Sequence, residues 1–144
     1  MVAGANLANS PEPYIWMSNV NFLSPDSRCH SFDHRANGYA RGEGLGVIVL
    51  KRISDAVRDG STIRAVIRSA GSNEDGRTPG ITQPSRKAQE NLIRETYRKA
   101  GLSMAHTRYF EAHGTGTPAG DPREAQAIGT AFQKYRSKED PLYV

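Results

Sequence analysis

His113-Gly114-Thr115-Gly116-Thr117-Pro118 is the stretch of this sequence best suited to chemistry. It follows Arg108-Tyr109-Phe110-Glu111-Ala112, which reads as a buried strand. The ends of such strands are where α/β folds place their sites. A neutral imidazole can donate its Nε2–H to an oxyanion that develops during a reaction, or it can carry a proton. Gly114 and Gly116 let the backbone approach a ligand closely. Thr115 and Thr117, at alternating positions of an extended loop, can face the same way and hydrogen-bond a substrate that carries amides. A structural reading stands beside this one: a histidine hydrogen-bonded within a turn, with the threonines capping it.

Other constellations carry less. Gly42-Glu43-Gly44-Leu45-Gly46 has the look of a phosphate loop, but such loops follow a strand and open a helix. This one precedes a strand, Val47-Ile48-Val49-Leu50, and no Gly-Lys-Ser/Thr occurs. Cys29, His30 and His34, with Asp33 as a fourth ligand, are too compact to surround a tetrahedral ion. Cys29 as a nucleophile with His113 as its base lacks any elbow pattern around it, and a small, partly buried thiol is the plainer reading. No Gly-x-Ser-x-Gly supports a serine hydrolase.

The elements that must position these residues alternate between strand and helix. Residues 2–7 read as a short buried strand, and residues 11–23 as a short helix or two turns after Pro11. Ser24-Pro25-Asp26-Ser27 is a turn, and 29–46 an irregular loop. Residues 47–50 form a continuous apolar run, as in a strand covered on both faces. Ser54 is expected to cap a helix that ends at Gly60. Alternation over 63–68 predicts a strand. A long polar loop over 71–84 separates it from a helix capped by Ser85, running to Ala100 and stopped by Gly101-Leu102. Asp121-Pro122-Arg123-Glu124 reads as a capping box that opens the last helix, with Ala125, Ile128 and Phe132 on its inner face. The pattern is that of a layered α/β fold.

Composition bounds the rest. Val, Ile, Leu and Phe make up only 26 of 144 residues, about 18%, just under the level at which disorder becomes a live reading. Disorder also needs a large net charge, and here it is +4. The sequence therefore reads as folded but short of apolar side chains to close its own core, as if both ends were severed inside elements. No apolar run approaches the roughly 20 residues of a membrane span, and no signal peptide is evident. Basic residues are scattered among acids, which argues against nucleic acid. One cysteine suits a reducing cytoplasm.

Three segments together resemble the β-ketoacyl synthase (ketosynthase) domains of type I polyketide and fatty acid synthases, most of all the fungal iterative reducing kind. They are Ser31-Phe32-Asp33 with Asn37-Gly38-Tyr39-Ala40-Arg41-Gly42-Glu43-Gly44; Ser72-Asn73-Glu74-Asp75-Gly76 leading to Gly80-Ile81-Thr82-Gln83-Pro84; and Glu111-Ala112-His113-Gly114-Thr115-Gly116-Thr117 with Gly120-Asp121-Pro122. The resemblance covers essentially the whole chain. It implies a thiolase-like fold, layered αβαβα and incomplete here. Residues 1–60 would end the N-terminal ketosynthase half, and 61–144 would begin the C-terminal half.

The resemblance also implies decarboxylative Claisen condensation of a carrier-bound acyl thioester with a malonyl-type extender. His113 matches the family's first catalytic histidine. Thr115 and Thr117 match the hydroxyls that contact the pantetheine amides, and Thr82 lies in the segment bordering the entrance. Glu124 matches a position that supports the active-site lysine, while Asp121 is expected to cap its helix. The family's nucleophilic cysteine, second histidine and lysine fall outside these residues, so the chain alone is expected to be inactive. No metal and no directly bound cofactor are implied, because substrates ride on the phosphopantetheine of an acyl carrier protein. That carrier, other synthase domains such as an acyltransferase, and a second copy in a homodimer are the implied partners. The alternative within the family is a non-catalytic ketosynthase-like partner that shapes chain length.

Overall fold

Ser85 opens the longest helix of the chain. Its backbone is extended (φ −87°, ψ 106°) and its hydroxyl accepts a hydrogen bond from Ala88 N at 3.2 Å, satisfying one of the four N–H groups that a helix start leaves without a partner. At the other end Gly101 adopts φ +63°. Gly101 N donates to Arg98 O and Leu102 N to Tyr97 O, the paired bonds of a Schellman stop. The computed structural model describes residues 1–80 and 82–144; Ile81, inside the Gly80–Pro84 motif, lies outside the described residues. Its elements are β1 (Val2–Asn6), α1 (Glu12–Asn19), β2 (Gly44–Ile48), α2 (Ile53–Arg58), α3 (Arg86–Ala100) and α4 (Asp121–Phe132), with single 3-10 turns at Met104–His106 and Gln133–Tyr135.

The core lies between α3 and α4. Met104, Ile128, Ala131 and Phe132 are buried, and Ile93, Tyr97, Phe110, Ala112 and Leu142 pack on them. Phe132 sits edge-to-face against Tyr97 (5.8 Å, 89°) and Phe110 (5.9 Å, 73°), the arrangement that ring quadrupoles favour. Glu90 is buried too, and its carboxylate is paired by Arg94 (3.0 Å) and Lys87 (3.3 Å). Arg94 also donates to Thr130 O at 2.7 Å, so polar groups tie α3 to α4 beside the aromatic cluster.

The N-terminal part is more open. β1 and β2 pair antiparallel, with Val2 opposite Ile48, Gly4 opposite Gly46 and Asn6 opposite Gly44. Leu45 (77% exposed) and Val49 (75%) face solvent, so the expected two-sided cover of the 47–50 run is not met within this chain, and the strand is shifted to Gly44–Ile48. Segment 22–24 runs beside 38–39 through the parallel bridge of Leu23 and Tyr39. Gly38 makes that approach possible: its φ is +130°, and a Cβ there would lie 2.6 Å from the Leu23 carbonyl carbon.

Four local expectations are corrected. Residues 63–68 form no strand, because no partner strand lies beside them among the described residues; Ile63, Val66 and Ile67 are exposed. Residues 108–112 form only an isolated parallel bridge, Tyr109 with Tyr143. Ser54 does not cap α2: Arg52 takes the cap position without a side-chain bond, and Ser54 lies in the first turn. Asp121 does not cap α4 either. Gly120 holds that position, and the Asp121 side chain is used elsewhere. No helix among the described residues is long and apolar enough to cross a membrane.

Candidate active site

Asp121 and Glu124 stand three residues apart in the first turn of α4. That spacing puts both carboxylates on one helix face, at the end where the helix dipole favours negative charge. Both turn back onto the preceding loop. The Glu124 oxygens accept from His113 N (2.7 Å) and Gly114 N (2.9 Å). Asp121 accepts from Gly116 N (3.1 and 3.2 Å) and Thr117 N (3.3 Å). Its Oδ2 also accepts from Phe32 N at 2.8 Å, across 89 residues. Two carboxylates thus hold five backbone amides, and Asp121 is buried while doing so.

The loop itself has the shape its glycines permit. Gly114 has φ +50° and Gly116 φ +79°, a region open to glycine at no steric cost. A Cβ on Gly116 would lie 2.7 Å from His30 N and 3.2 Å from Cys29 C. The loop therefore lies directly on the 29–32 backbone. Gly116 O accepts from Gly38 N at 3.0 Å, and Ser31 Oγ donates to Gly114 O. Phe32 is held at φ +55°, a left-handed conformation that costs a bulky residue about 1–2 kcal/mol. Asp121 is the group that bonds its N–H there.

This framework fixes the histidine's backbone and leaves its ring exposed, with no hydrogen bond to its imidazole among the described residues. The Thr115 and Thr117 hydroxyls meet at 3.3 Å, so the alternating positions do face one way. Thr117 Oγ1 also accepts from Gly120 N at 3.2 Å, which shows that it serves the turn as well. Thr82 is exposed and makes no hydrogen bond to either threonine among the described residues. A cavity of about 370 Å³ opens beside the loop, between the Phe32–Ala36 segment and Thr117, Asp121 and Ala125.

The other candidates are kept apart. Cys29 Sγ accepts from Ala40 N at 3.2 Å. His30 pairs with Asp26 at 3.0 Å, and His34 lies on the surface beside Asp33. Both Asp33 oxygens are occupied by the Arg35 fork at 2.9 Å, which holds that carboxyl well below the usual carboxylate range. Asp26 is likewise held well below that range, by the Ser24 hydroxyl first and then His30 and Asn37. Two parts of the site escaped the sequence reading: the link from Asp121 to Phe32, and Arg123, which bonds both Gln83 and Ala119 O. Short-range spacing carries no sign of partners 40 or 89 residues away.

Residues 64–144 match the family model described as beta-ketoacyl synthase, C-terminal domain, and residues 1–56 the one described as beta-ketoacyl synthase, N-terminal domain. The chain belongs to the β-ketoacyl synthase family. It is 59% identical over its whole length to Highly reducing polyketide synthase 40 of Fusarium mangiferae, and 59% to Highly reducing polyketide synthase 2 of Gibberella zeae. It spans about 6% of the length of each. The ketosynthase from module 6 of the bacillaene synthase of Bacillus subtilis superposes with a TM-score of 0.91 at 45% identity, over 95% of this chain and 25% of that one. The fold is accordingly thiolase-like, and the sequence is similar along its whole length to segments of polyketide synthases.

Proposed function

We propose that this chain is part of the ketosynthase of a fungal highly reducing polyketide synthase, and that the complete protein is an acyltransferase catalysing decarboxylative condensation. Residues 1–60 would close its N-terminal half and 61–144 open its C-terminal half, a division supported by the separate family matches on either side of residue 60. The observation that carries the reading is the clamp: Asp121 and Glu124 immobilise the backbone of the 113–117 loop while the His113 ring stays open to a ligand.

The chemistry needs such a donor. An acyl chain passes from the phosphopantetheine of a carrier protein to a cysteine thiolate supplied from outside these residues. In the extender, the bond from the α-carbon to the carboxylate breaks, CO₂ leaves, and the electron pair becomes an enolate. The enolate carbon attacks the acyl thioester and the cysteine thiolate departs. Negative charge develops on a thioester oxygen, and a preorganised N–H is worth most there. His113 would supply that N–H. Thr115 and Thr117, already aligned, would take the pantetheine amides, and Thr82 would border their entry. Each Glu124 oxygen has a second lone-pair site, so holding the loop leaves room to accept from a lysine.

Two partners follow from this chemistry, an acyl carrier protein and an acyltransferase that loads it; a second copy of the chain is the partner that the likeness to ketosynthases adds. No metal and no bound cofactor is needed. A cytoplasmic location fits this reading, since Cys29 is an exposed free thiol.

In the full-length synthase, His113→Ala should lower malonyl decarboxylation about 10²–10³-fold, as expected for losing an oxyanion donor. Near-normal decarboxylation by that variant would overturn the role given to His113. The second reading, a non-catalytic partner, is separated by peptide mass spectrometry of the full-length chain after exposure to an acyl thioester, because only the enzyme acquires an acyl adduct on a cysteine of its ketosynthase.

A further inference from the structure

Among the described residues, the 71–84 loop is tied to the start of α3. Asn73 Nδ2 donates to Ala88 O at 2.7 Å, and Asp75 Oδ1 accepts from Ser85 N at 3.1 Å, which fastens its base to the start of α3. Gly80 O accepts both Thr78 Oγ1 and Gln83 N at 2.9 Å, which folds its far end. Among the described residues, one side-chain hydrogen bond joins this loop to the histidine loop and the start of α4: Arg123 Nη2 donates to Gln83 Oε1 at 2.9 Å. The other arm of the same guanidinium, Nη1, donates to Ala119 O at 2.7 Å. Gln83 directly follows Thr82, and Ala119 stands two residues before Asp121.

We infer that Arg123 is a positioning residue that sets the entrance loop, and Thr82 with it, against the Thr115–Thr117 hydroxyls. The inference rests on the proposed function for its substrate, a pantetheine thioester. The fork is what the geometry requires. A guanidinium presents donors at fixed angles to two acceptors at once, whereas a lysine ammonium is a point charge on a flexible stem. Arg123 is half-buried, so its bonds are sheltered from full competition with water. It touches neither the reacting atoms nor the His113 ring, so its effect falls on where substrate is held and not on the bond-making step.

The test uses the full-length synthase and an acyl-pantetheine thioester. Arg123→Met should raise KM about tenfold while kcat falls much less, and hydrogen exchange in 76–83 should quicken while the α3–α4 core stays protected. Arg123→Lys should fall between the two. Gln83→Glu, which turns the acceptor into a charged one, should slow exchange in the loop. Gln83→Ala should add little to Arg123→Met, because the partner is already gone. Three results would overturn the inference: unchanged KM and exchange in Arg123→Met, a full additional effect of Gln83→Ala on top of it, or kcat lost together with core protection. A wild-type full-length chain that performs no condensation would refute the proposed function, and loop exchange would still decide the tether.

Discussion

Asp121→Asn is the sharpest perturbation of the candidate site, because it keeps the side chain's shape and removes half of its accepting capacity. In the native chain three backbone donors, Phe32 N, Gly116 N and Thr117 N, converge on one buried carboxylate at 2.8–3.3 Å. An asparagine can turn its one oxygen toward Gly116 and Thr117, and its NH₂ then faces the Phe32 N–H. That contact costs about 2–3 kcal/mol as an unsatisfied donor, and the two bonds that remain weaken from charged to neutral by about 1 kcal/mol each. Phe32 can recover about 1–2 kcal/mol by leaving its left-handed conformation. The net local loss is about 3 kcal/mol, or roughly a hundredfold in an opening equilibrium. Amide exchange of the full-length protein reads it directly. Phe32, Gly116 and Thr117 should exchange about a hundred times faster, while His113 and Gly114, held by Glu124, change far less. Exchange within threefold of wild type at those three amides would refute the reasoning. So would an acceleration spread evenly over the α3–α4 core.

Two further outcomes follow from the same geometry. Gly116→Ala should destabilise the ketosynthase by about 3 kcal/mol, from a left-handed alanine and an overlap with backbone that has no room to yield. Gly76→Ala, at φ +67° with nothing within 4 Å of its Cβ, should cost only about 1–2 kcal/mol; equal urea midpoints for the two variants would contradict this. Asp26 gives the pH dependence. Its carboxyl is held below the ordinary value of 3.8 by the Ser24, His30 and Asn37 donors, so its stabilisation is present above that value and is lost as pH falls through the lower folded one. The urea midpoint of the wild type should exceed that of Asp26→Asn above pH 3.8, and the gap should close on further acidification. A gap that widens there would count against it.

Both ends of α3 were legible because their decisive bonds are short-range. Ser85 caps Ala88, and Gly101 with Leu102 closes on Arg98 and Tyr97, because the groups involved lie within five residues and the backbone brings them together by itself. Strands were legible only in part. Residues 63–68 carry the alternation of a strand and pair with nothing among the described residues, since a strand exists only through a neighbour. The capping-box reading of Asp121 and Glu124 failed for a related reason. Both acids fit a local motif, yet their carboxylates bond amides that precede the helix, and for Asp121 also Phe32 N 89 residues away, instead of the amides of the first turn.

Sequence alone determined the residue types of the site, the alternation of Thr115 with Thr117, and the glycines without which the loop could not turn. It also carried the low apolar content, which the exposed Leu45 and Val47 of β2 now match: these strands show faces that this chain does not cover. Tertiary structure decided what the acids do. Phe32 and Asp121 are 89 residues apart, and no local propensity encodes a bond over that span. It arises only when the packing of α4 sets the buried carboxylate among three backbone N–H groups, where leaving them unbonded would cost more than ordering the loop.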